Sequence, residues 1–320
     1  MNARVRTLLL IIGLTLAMSA SAQEAPLRIL VGFPPGGTSD LIARLLVERL
    51  RASLGTPVIV ENKPGVNDII AAQALKNSPP DGKTVMISPI GVTVFHPLTH
   101  AKLSYDPVKD FAPVSLAAKQ QLALAVGAGS PAKTVGDYIA WVRVNPANGA
   151  YGTPTLGGQP QFFGMMLARS AGIDLVCVPY KGGGPLVNDL IGGQVPAGIT
   201  VVTELLKHHE SGRVRMLATS GAQRSPVTPN VPTFKELGFP EIEGIGWQAF
   251  HAAAGTPRPV VARLSAAIAA ALKAPEVSEQ LVALGLEPVG STPEELARWM
   301  AEDTARWAPL VKASGFRADE

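Results

Sequence analysis

The sequence predicts an α/β protein of two domains that face each other across a cleft. Short runs of aliphatic and β-branched residues alternate with longer runs in which apolar residues recur at helical spacing. This alternation is typical of parallel-rich sheets with helices on both faces and right-handed crossovers. The chain has 320 residues, which is enough for two substantial cores.

The first part of the chain predicts three strands and two helices. Apolar residues mark one face of the first helix from Leu41 to Leu54, and Gly55 then ends it. A proline-rich connection over residues 105–113 closes this part. In order, its predicted elements are strand 29–31, helix 41–54, strand 58–60, helix 69–76 and strand 84–87.

The second part of the chain predicts a further set of strands and helices, in which Thr134 and Pro185 suit the first positions of helices. We expect residues 23–123 and 247–320 to form one discontinuous domain and residues 124–246 the other. The predicted elements are strand 122–126, helix 134–142, helix 161–171, strand 175–178, helix 185–191, strands 197–202 and 215–219, a run over 242–250, and helices 260–272, 275–284 and 293–314.

Residues 1–22 are typical of a cleavable secretory signal peptide. Arg4 and Arg6 precede an apolar run, 8–18, that is too short for a comfortable membrane span, and Ala20-Ser21-Ala22 fits a cleavage site. An uncleaved anchor is the alternative. Cleavage removes two arginines and no acidic residue, so the formal charge of +3 becomes about +1. No basic block then remains that would indicate a nucleic-acid or anionic-membrane partner.

Conventional enzyme motifs are missing. The sequence has no Gly-x-Ser-x-Gly elbow and no Walker A loop. Residues 127–132 superficially match a dinucleotide fingerprint, but Pro131 interrupts the match and the acidic residue expected about twenty positions later is absent. A plain strand-to-helix turn explains the segment better, so we expect no cofactor.

The histidines and the single cysteine do not form a metal pattern. His96 and His100 are four residues apart, but Pro97 disfavours helical geometry at His96. His208-His209 lies in a polar segment with Glu204 and Glu210, where solvated surface histidines are expected. His251 stands alone, and Cys177 lies in a predicted buried strand as a small packed hydrophobe. We expect no metal site.

Small-residue loops recur where predicted strands meet helices. Such loops leave backbone N–H groups unpaired at a helix N-terminus, where an anion can use them. One hydrogen bond to a charged group contributes roughly 1.5–3 kcal/mol, and micromolar binding needs about 8 kcal/mol. Four or five converging donors therefore suffice in principle to bind a carboxylate. The loops lie at residues 36–38, 65–68, 88–89, 153–159 and 180–185.

Eight stretches of the chain resemble the solute receptors of tripartite tricarboxylate transporters, the Bug family. They follow the family's order and cover nearly the whole chain after residue 22. They are residues 34–40 with 43–44, 60–65, 80–84, 105–107 with 110–111, 178–182, 189–195, 231–233 and 255–257.

The resemblance implies a periplasmic, two-domain binding protein of the type II kind. Its lobes would close over a small organic acid and present it to membrane transporter subunits, as a monomer and without making or breaking a bond. It also implies ligand or water contacts for Gly37, Thr38, Asp40, Val66, Asn67, Asp68, Ser88, Thr153, Leu156, Gly157, Gly158 and Gly182.

Two departures from the family pattern bear on the ligand. Val66-Asn67-Asp68 replaces a small glycine-rich turn, and Gly158 and Gln161 stand where the family often has Ser and His. Asn67 or Asp68 could simply cap the following helix. The alternative hypothesis is that Asp68 meets an ammonium or another donor of the ligand, which would favour an amino acid or another amine-bearing acid.

Two other function classes remain open at this stage. The chain could deliver its ligand to a membrane sensor, which would use the same fold. It could also be a secreted hydrolase that uses Asp40, Asp68 or Lys181.

Overall fold

The computed structural model describes residues 25–65 and 67–318. The predicted signal peptide, residues 1–22, and Val66 lie outside the described residues. Within those ranges, the strands are β1 (Leu27–Val31), β2 (Val58–Asn62), β3 (Thr84–Pro89), β4 (Phe111–Gly127), β5 (Ala150–Thr153), β6 (Val176–Pro179), β7 (Ala197–Val201), β8 (Val214–Thr219), β9 (Ile245–Ala253) and β10 (Leu286–Pro288).

The helices of the same ranges cover both faces of the sheet. A π-helical turn, Gly91–Phe95, runs directly into the short helix α3, and a 3₁₀ turn, Pro146–Gly149, precedes β5. The helices are α1 (Thr38–Leu54), α2 (Ile69–Lys76), α3 (His96–Thr99), α4 (Val135–Val144), α5 (Gln159–Ala171), α6 (Gly183–Ile191), α7 (Val202–Glu210), α8 (Arg258–Lys273), α9 (Pro275–Ala283) and α10 (Pro293–Ser314).

One long strand, β4, joins two halves of the sheet. Its first part pairs antiparallel with β9 and β10, and its last part pairs antiparallel with β7 and β8. The exchange of partners falls between Gln121, which opposes Ile245, and Leu122, which opposes Val201. The parallel pairs expected from the βαβ order lie at the two ends of the path β2-β1-β3-β9-β4-β7-β5-β6. The chain therefore has two lobes.

Two features of the sheet differ from the prediction. Strand β4 begins at Phe111, inside the segment expected to be a connection, and β10 was not predicted. Pro113 suggested a break, but it lies where the β4–β9 register shifts, between Pro113 and Ser115. A bulge accommodates a residue that cannot donate to the ladder, so the strand continues through the proline.

The prediction that Pro97 keeps His96 out of a helix was wrong. His96 has helical angles, φ −59° and ψ −44°, and Pro97 lies in the first turn of α3. Proline is tolerated there because the first-turn N–H groups have no intrahelical partner. The buried His96 ring forms a hydrogen bond through Nδ1 with the hydroxyl of Tyr105, at 2.9 Å.

The lobes have separate apolar cores and also share one. The first lobe packs α1, α8 and α9 against β1, β3 and β9, whereas the second lobe packs α6 and α7 against β4 and β8. A third cluster crosses between them through α10. In it, the Trp307 ring lies 5.0 Å from that of Phe95 and 5.8 Å from that of Phe163. The C-terminal helix therefore fastens the lobes together.

No helix of residues 25–65 and 67–318 is long and apolar enough to cross a membrane. The same residues contain no group of three or more His, Cys, Asp or Glu side chains placed to hold a metal ion. Cys177 is half-buried on β6, and burial raises the pKa of its thiol.

Candidate ligand-binding site

A cavity of about 480 Å³ lies between the two lobes. The first lobe contributes the loop after β1, the turn before α2 and the end of β3. The second lobe contributes the loops after β5 and β6 and the first turns of α7. These are the carboxyl ends of parallel strands, where ligands bind in open α/β sheets. The volume suits a small molecule.

Three helices begin at glycines on the cavity wall. Gly37, Gly158 and Gly182 are the N-cap residues of α1, α5 and α6, and none of these helices has a side-chain cap. The first N–H groups of a helix have no intrahelical partner, and they carry a partial positive charge. The wall therefore presents uncapped helix N-termini from both lobes, an arrangement that favours an anion.

The lobes touch across the mouth of this cavity. Gly182 has φ 103°, and a Cβ placed on it would lie 3.6 Å from Phe33 Cδ1 and 3.7 Å from Pro34 Cδ. Asn67 of the first lobe donates from Nδ2 to the Leu156 carbonyl of the second, at 3.3 Å. The structure therefore holds the two lobes in contact around the cavity.

The cavity wall includes six of the twelve residues predicted to contact ligand or water. These six are Gly37, Thr38, Asn67, Asp68, Gly158 and Gly182. Thr38 is buried, and its Oγ1 has no hydrogen-bond partner. Ligand contact by these residues stays a prediction, because the structure carries no ligand.

Five other predicted residues lie behind the wall. The Asp40 carboxylate accepts hydrogen bonds from Arg44 Nε, Gly36 N–H and Asn62 Nδ2, each at 2.9 Å. Burial alone would raise the pKa of Asp40, but these hydrogen bonds outweigh it and hold the pKa below its usual value. Asp40 therefore braces the loop after β1 as a carboxylate whose acceptors are already used.

The remaining four hold the loops that shape the cavity. Thr153 Oγ1 donates to the Thr155 carbonyl at 2.9 Å, and the Leu156 carbonyl accepts from Asn67. Gly157 N–H donates to Gln161 Oε1 at 2.7 Å, so the residue at the family's His position fastens this loop. Ser88 is fully buried beside the wall residue Pro89, and its Oγ has no partner.

Asp68 does not cap α2 with its side chain. It occupies the N-cap position, but its carboxyl accepts no hydrogen bond from that helix. Asn67 and Asp68 have φ 51° and 70°, a left-handed pair that is uncommon for residues other than glycine. This backbone turns the carboxyl against Gly32, where Oδ1 lies 1.7 Å from the position a Cβ on Gly32 would take.

The environment of Asp68 favours its neutral form. The residue is 1% exposed, and Oδ1 has no hydrogen-bond partner. Burial raises the pKa of Asp68 to about 8, although a hydrogen bond from the Gly32 backbone acts in the opposite direction. A buried acid with an unpartnered oxygen and a raised pKa at a cavity wall is a candidate functional position.

Glu204 is a wall residue that the sequence reasoning missed. It was expected in a solvated segment with His208 and His209, but it lies in the first turn of α7 and faces the cavity. Thr200 Oγ1 donates to Glu204 Oε2, and burial raises the pKa of this carboxyl above its usual value. The signal was the Thr200-to-Glu204 spacing of four residues directly after a strand, which places both groups at the ligand edge of a sheet.

Other polar side chains on the wall were also missed. Gln120, Gln159 and Thr203 are buried. The Oε1 atoms of the two glutamines and the Oγ1 atom of Thr203 have no hydrogen-bond partner. Gln159 lies in the predicted loop 153–159, but no local pattern marks Gln120 or Thr203, which join it only in the folded sheet. His208 also lines the cavity, and burial lowers its pKa.

The comparisons with known proteins agree with this geometry. Residues 42–316 match the model of the tripartite tricarboxylate transporter family receptors. Protein BugT of Bordetella pertussis is 33% identical over 95% of this chain and 94% of that protein.

Three solved structures have the same fold. The periplasmic binding protein BugD superposes with a TM-score of 0.87 at 30% identity, covering 92% of this chain and 99% of its own. R. palustris Rpa4515 with adipate gives 0.87 at 32% identity, over 91% and 98%. MatC (Rpa3494) of Rhodopseudomonas palustris with bound malate gives 0.84 at 30% identity, over 89% and 98%. The chain belongs to the family of tripartite tricarboxylate transporter receptors.

Proposed function

We propose that this chain is a periplasmic receptor that captures a small organic acid between its lobes and delivers it to the membrane subunits of a tripartite tricarboxylate transporter. The observation that carries the proposal is the convergence of uncapped helix N-termini at Gly37, Gly158 and Gly182 on one cavity from both lobes. Relatives of the same fold have been solved with malate and with adipate.

Helix N-termini can supply the affinity without an arginine. Among the described residues, the wall has two lysines, Lys181 and Lys207, which are exposed, and no arginine. A carboxylate that accepts four or five N–H or hydroxyl hydrogen bonds gains about 6–15 kcal/mol, which reaches the roughly 8 kcal/mol of micromolar binding before the cost of association is subtracted.

Ligand-driven closure is the second part of the proposal. A solute held by N-termini of both lobes favours the closed arrangement because only that arrangement makes both sets of contacts. The inter-lobe hydrogen bond of Asn67 and the approach of Gly182 to Phe33 support this mechanism. We assign residues 23–123 and 247–320 to one lobe and 124–246 to the other. The exchange of β4 partners at Leu122 and the start of β9 at Ile245 support these limits.

The proposal also covers how the chain is exported, its oligomeric state and the fate of the solute. Residues 1–22 direct export and are removed, and the mature chain acts as a monomer. The solute leaves the cavity unaltered, as expected for a family of receptors.

Native mass spectrometry of the protein purified from the periplasm tests the proposal, since a tightly held solute is retained and weighed. The retained compound, malate and adipate are then titrated by calorimetry. We expect at least one of these acids to bind at micromolar concentration with one site per chain and to be recovered intact. If no acid binds, or if the acid is converted, the receptor function is wrong. Loss of uptake of the bound acid in a deletion strain would separate transport from sensing.

A further inference from the structure

Two acidic residues line the same cavity from opposite lobes. Asp68 lies on the first-lobe wall and Glu204 on the second-lobe wall. No described side chain forms an ion pair with either of them. Burial favours the neutral form of Asp68, and a cation bound beside it would favour the ionised form, whereas an anionic solute would oppose ionisation.

The two acids lie next to the contact that joins the lobes. Asp68 packs against Gly32, which precedes Phe33, and Glu204 packs against Gly183, which follows Gly182. A Cβ on Gly183 would lie 1.7 Å from Glu204 Oε2, so the carboxyl fills the place of a side chain. A Cβ on Gly182 would lie within van der Waals distance of Phe33, so the loops beside which the two acids pack approach each other across the cleft.

The buried wall also has three unpartnered acceptor oxygens, in addition to the unpartnered hydroxyls of Thr38 and Thr203. The oxygen atoms Asp68 Oδ1, Gln120 Oε1 and Gln159 Oε1 are buried, lack hydrogen-bond partners and belong to wall residues. Such groups cost free energy unless a ligand supplies donors. A dicarboxylate supplies only acceptors at neutral pH, whereas an ammonium group has three donors and a positive charge.

We propose that the solute is an acid that also bears a cationic nitrogen, such as an α-amino acid. Its carboxylate lies at the uncapped helix N-termini, and its nitrogen lies between Asp68 and Glu204. This inference rests on the proposed receptor function and names the class of acid that the receptor selects.

The test uses aspartate, malate and succinate, which differ only in an ammonium, a hydroxyl or a hydrogen at one carbon. Glutamate and glutarate form a second pair of matched probes. We expect the wild-type protein to bind the amino member of each set at least about tenfold more tightly than the others. Asp68→Asn and Glu204→Gln keep the shapes of the side chains but cannot ionise beside a bound cation. Each should reduce that preference roughly tenfold while binding of succinate and glutarate is retained or improved.

Glu210→Gln is the matched control, because Glu210 is an exposed carboxylate on the same helix as Glu204. It should leave all affinities unchanged. If succinate binds as tightly as aspartate, and glutarate as tightly as glutamate, the inference is overturned while the receptor function stands. A preference that survives in both Asp68→Asn and Glu204→Gln also overturns it. If no probe binds, this inference fails, and the titration of the retained compound decides the receptor function separately.

Discussion

Three helices that begin at the cavity differ from two helices, α4 and α10, that begin elsewhere. α1, α5 and α6 start after glycines and have no side-chain cap, whereas α4 and α10 start after Thr134 and Thr292 and have complete capping boxes. Both groups face the same problem, since each leaves its first N–H groups without intrahelical partners. α4 and α10 satisfy these donors with their own side chains, whereas α1, α5 and α6 leave them uncapped at the cavity wall. α8 and α9 also lack side-chain caps, but each begins outside the cavity with a proline in its first turn.

α2 is an intermediate case, since it begins at the cavity with a residue that is able to cap but does not. Its Asp68 carboxyl turns away from the helix and is buried against Gly32. Aspartate at an N-cap usually stabilises a helix by about 1 kcal/mol, and here that stabilisation is absent. Asp68 therefore behaves as part of the cavity wall rather than as part of its helix.

The largest expected effect follows from this placement. The folded chain keeps Asp68 protonated up to a pKa of about 8, but the unfolded chain ionises it near its usual value. The free energy of unfolding should therefore fall as pH rises between about 4 and 8, by an amount on the order of 5 kcal/mol at most. Asp68→Asn should remove this contribution, so the variant gains stability relative to the wild type as pH rises.

Urea unfolding of both proteins at several pH values measures the difference. The buried His96 and His251 have pKa values lowered by burial to about 3 and about 4, so they oppose the trend below pH 6.5. Both histidines are present in both proteins, so their effects cancel in the difference between the two free energies of unfolding. The effect of Asp68 on that difference is clearest between pH 6.5 and 8. The free energies of unfolding of wild type and variant could instead differ by a constant amount over that range. Asp68 would then be ionised in the folded chain, and it would no longer be a neutral part of the cavity wall.

The next effect comes from giving a cavity helix its own cap. Gly37 has φ −76°, and a Cβ placed on it would have Pro34 O as its nearest neighbour, at 3.8 Å. Gly37→Asp therefore fits, and its carboxylate would occupy the α1 donors and repel an anion. We expect carboxylate affinity measured by calorimetry to fall about 100-fold, while the free energy of unfolding changes by a few tenths of a kcal/mol.

Gly37→Ala separates the cap from the added volume, because alanine brings the same Cβ without an acceptor. It should bind the acid nearly as well as the wild type. Equal affinity of Gly37→Asp and Gly37→Ala would mean that the α1 amides are not used, and the comparison between the two groups of helices would then have no bearing on the ligand.

The elements that follow local patterns were predictable from the sequence. The helix predicted at 41–54 is α1 within a few residues, and those predicted at 260–272, 275–284 and 293–314 are α8, α9 and α10. The apolar spacing and the terminal Gly, Pro and Thr residues determine them. The glycine loops were predictable as well, because glycine between a strand and a helix is a local signal.

The rest of the site depends on tertiary structure. Nothing near Asp68 in the sequence indicates that its backbone would turn left-handed and place its carboxyl on Gly32, thirty-six residues away. Glu204 is followed by a polar segment, and only the packing of α7 against β7 and β8 turns it inward. Local sequence therefore predicts where a cavity forms, but the charge on its wall is decided by contacts between distant residues.

The smallest expected effect is the reverse of the change at Gly37. Thr134→Ala removes the capping hydrogen bond that Asp137 N–H donates to Thr134 Oγ1 at 3.1 Å, on an exposed helix end outside the cavity. The free energy of unfolding should fall by about 1 kcal/mol, with the carboxylate affinity unchanged. Thr134→Ser, which keeps the acceptor, should restore most of the loss. Urea unfolding and calorimetry of the same samples give both readouts. A loss of carboxylate affinity in Thr134→Ala would show that the α4 terminus is coupled to the cavity. Capped helices could then not be assigned to stability alone and uncapped helices to binding alone.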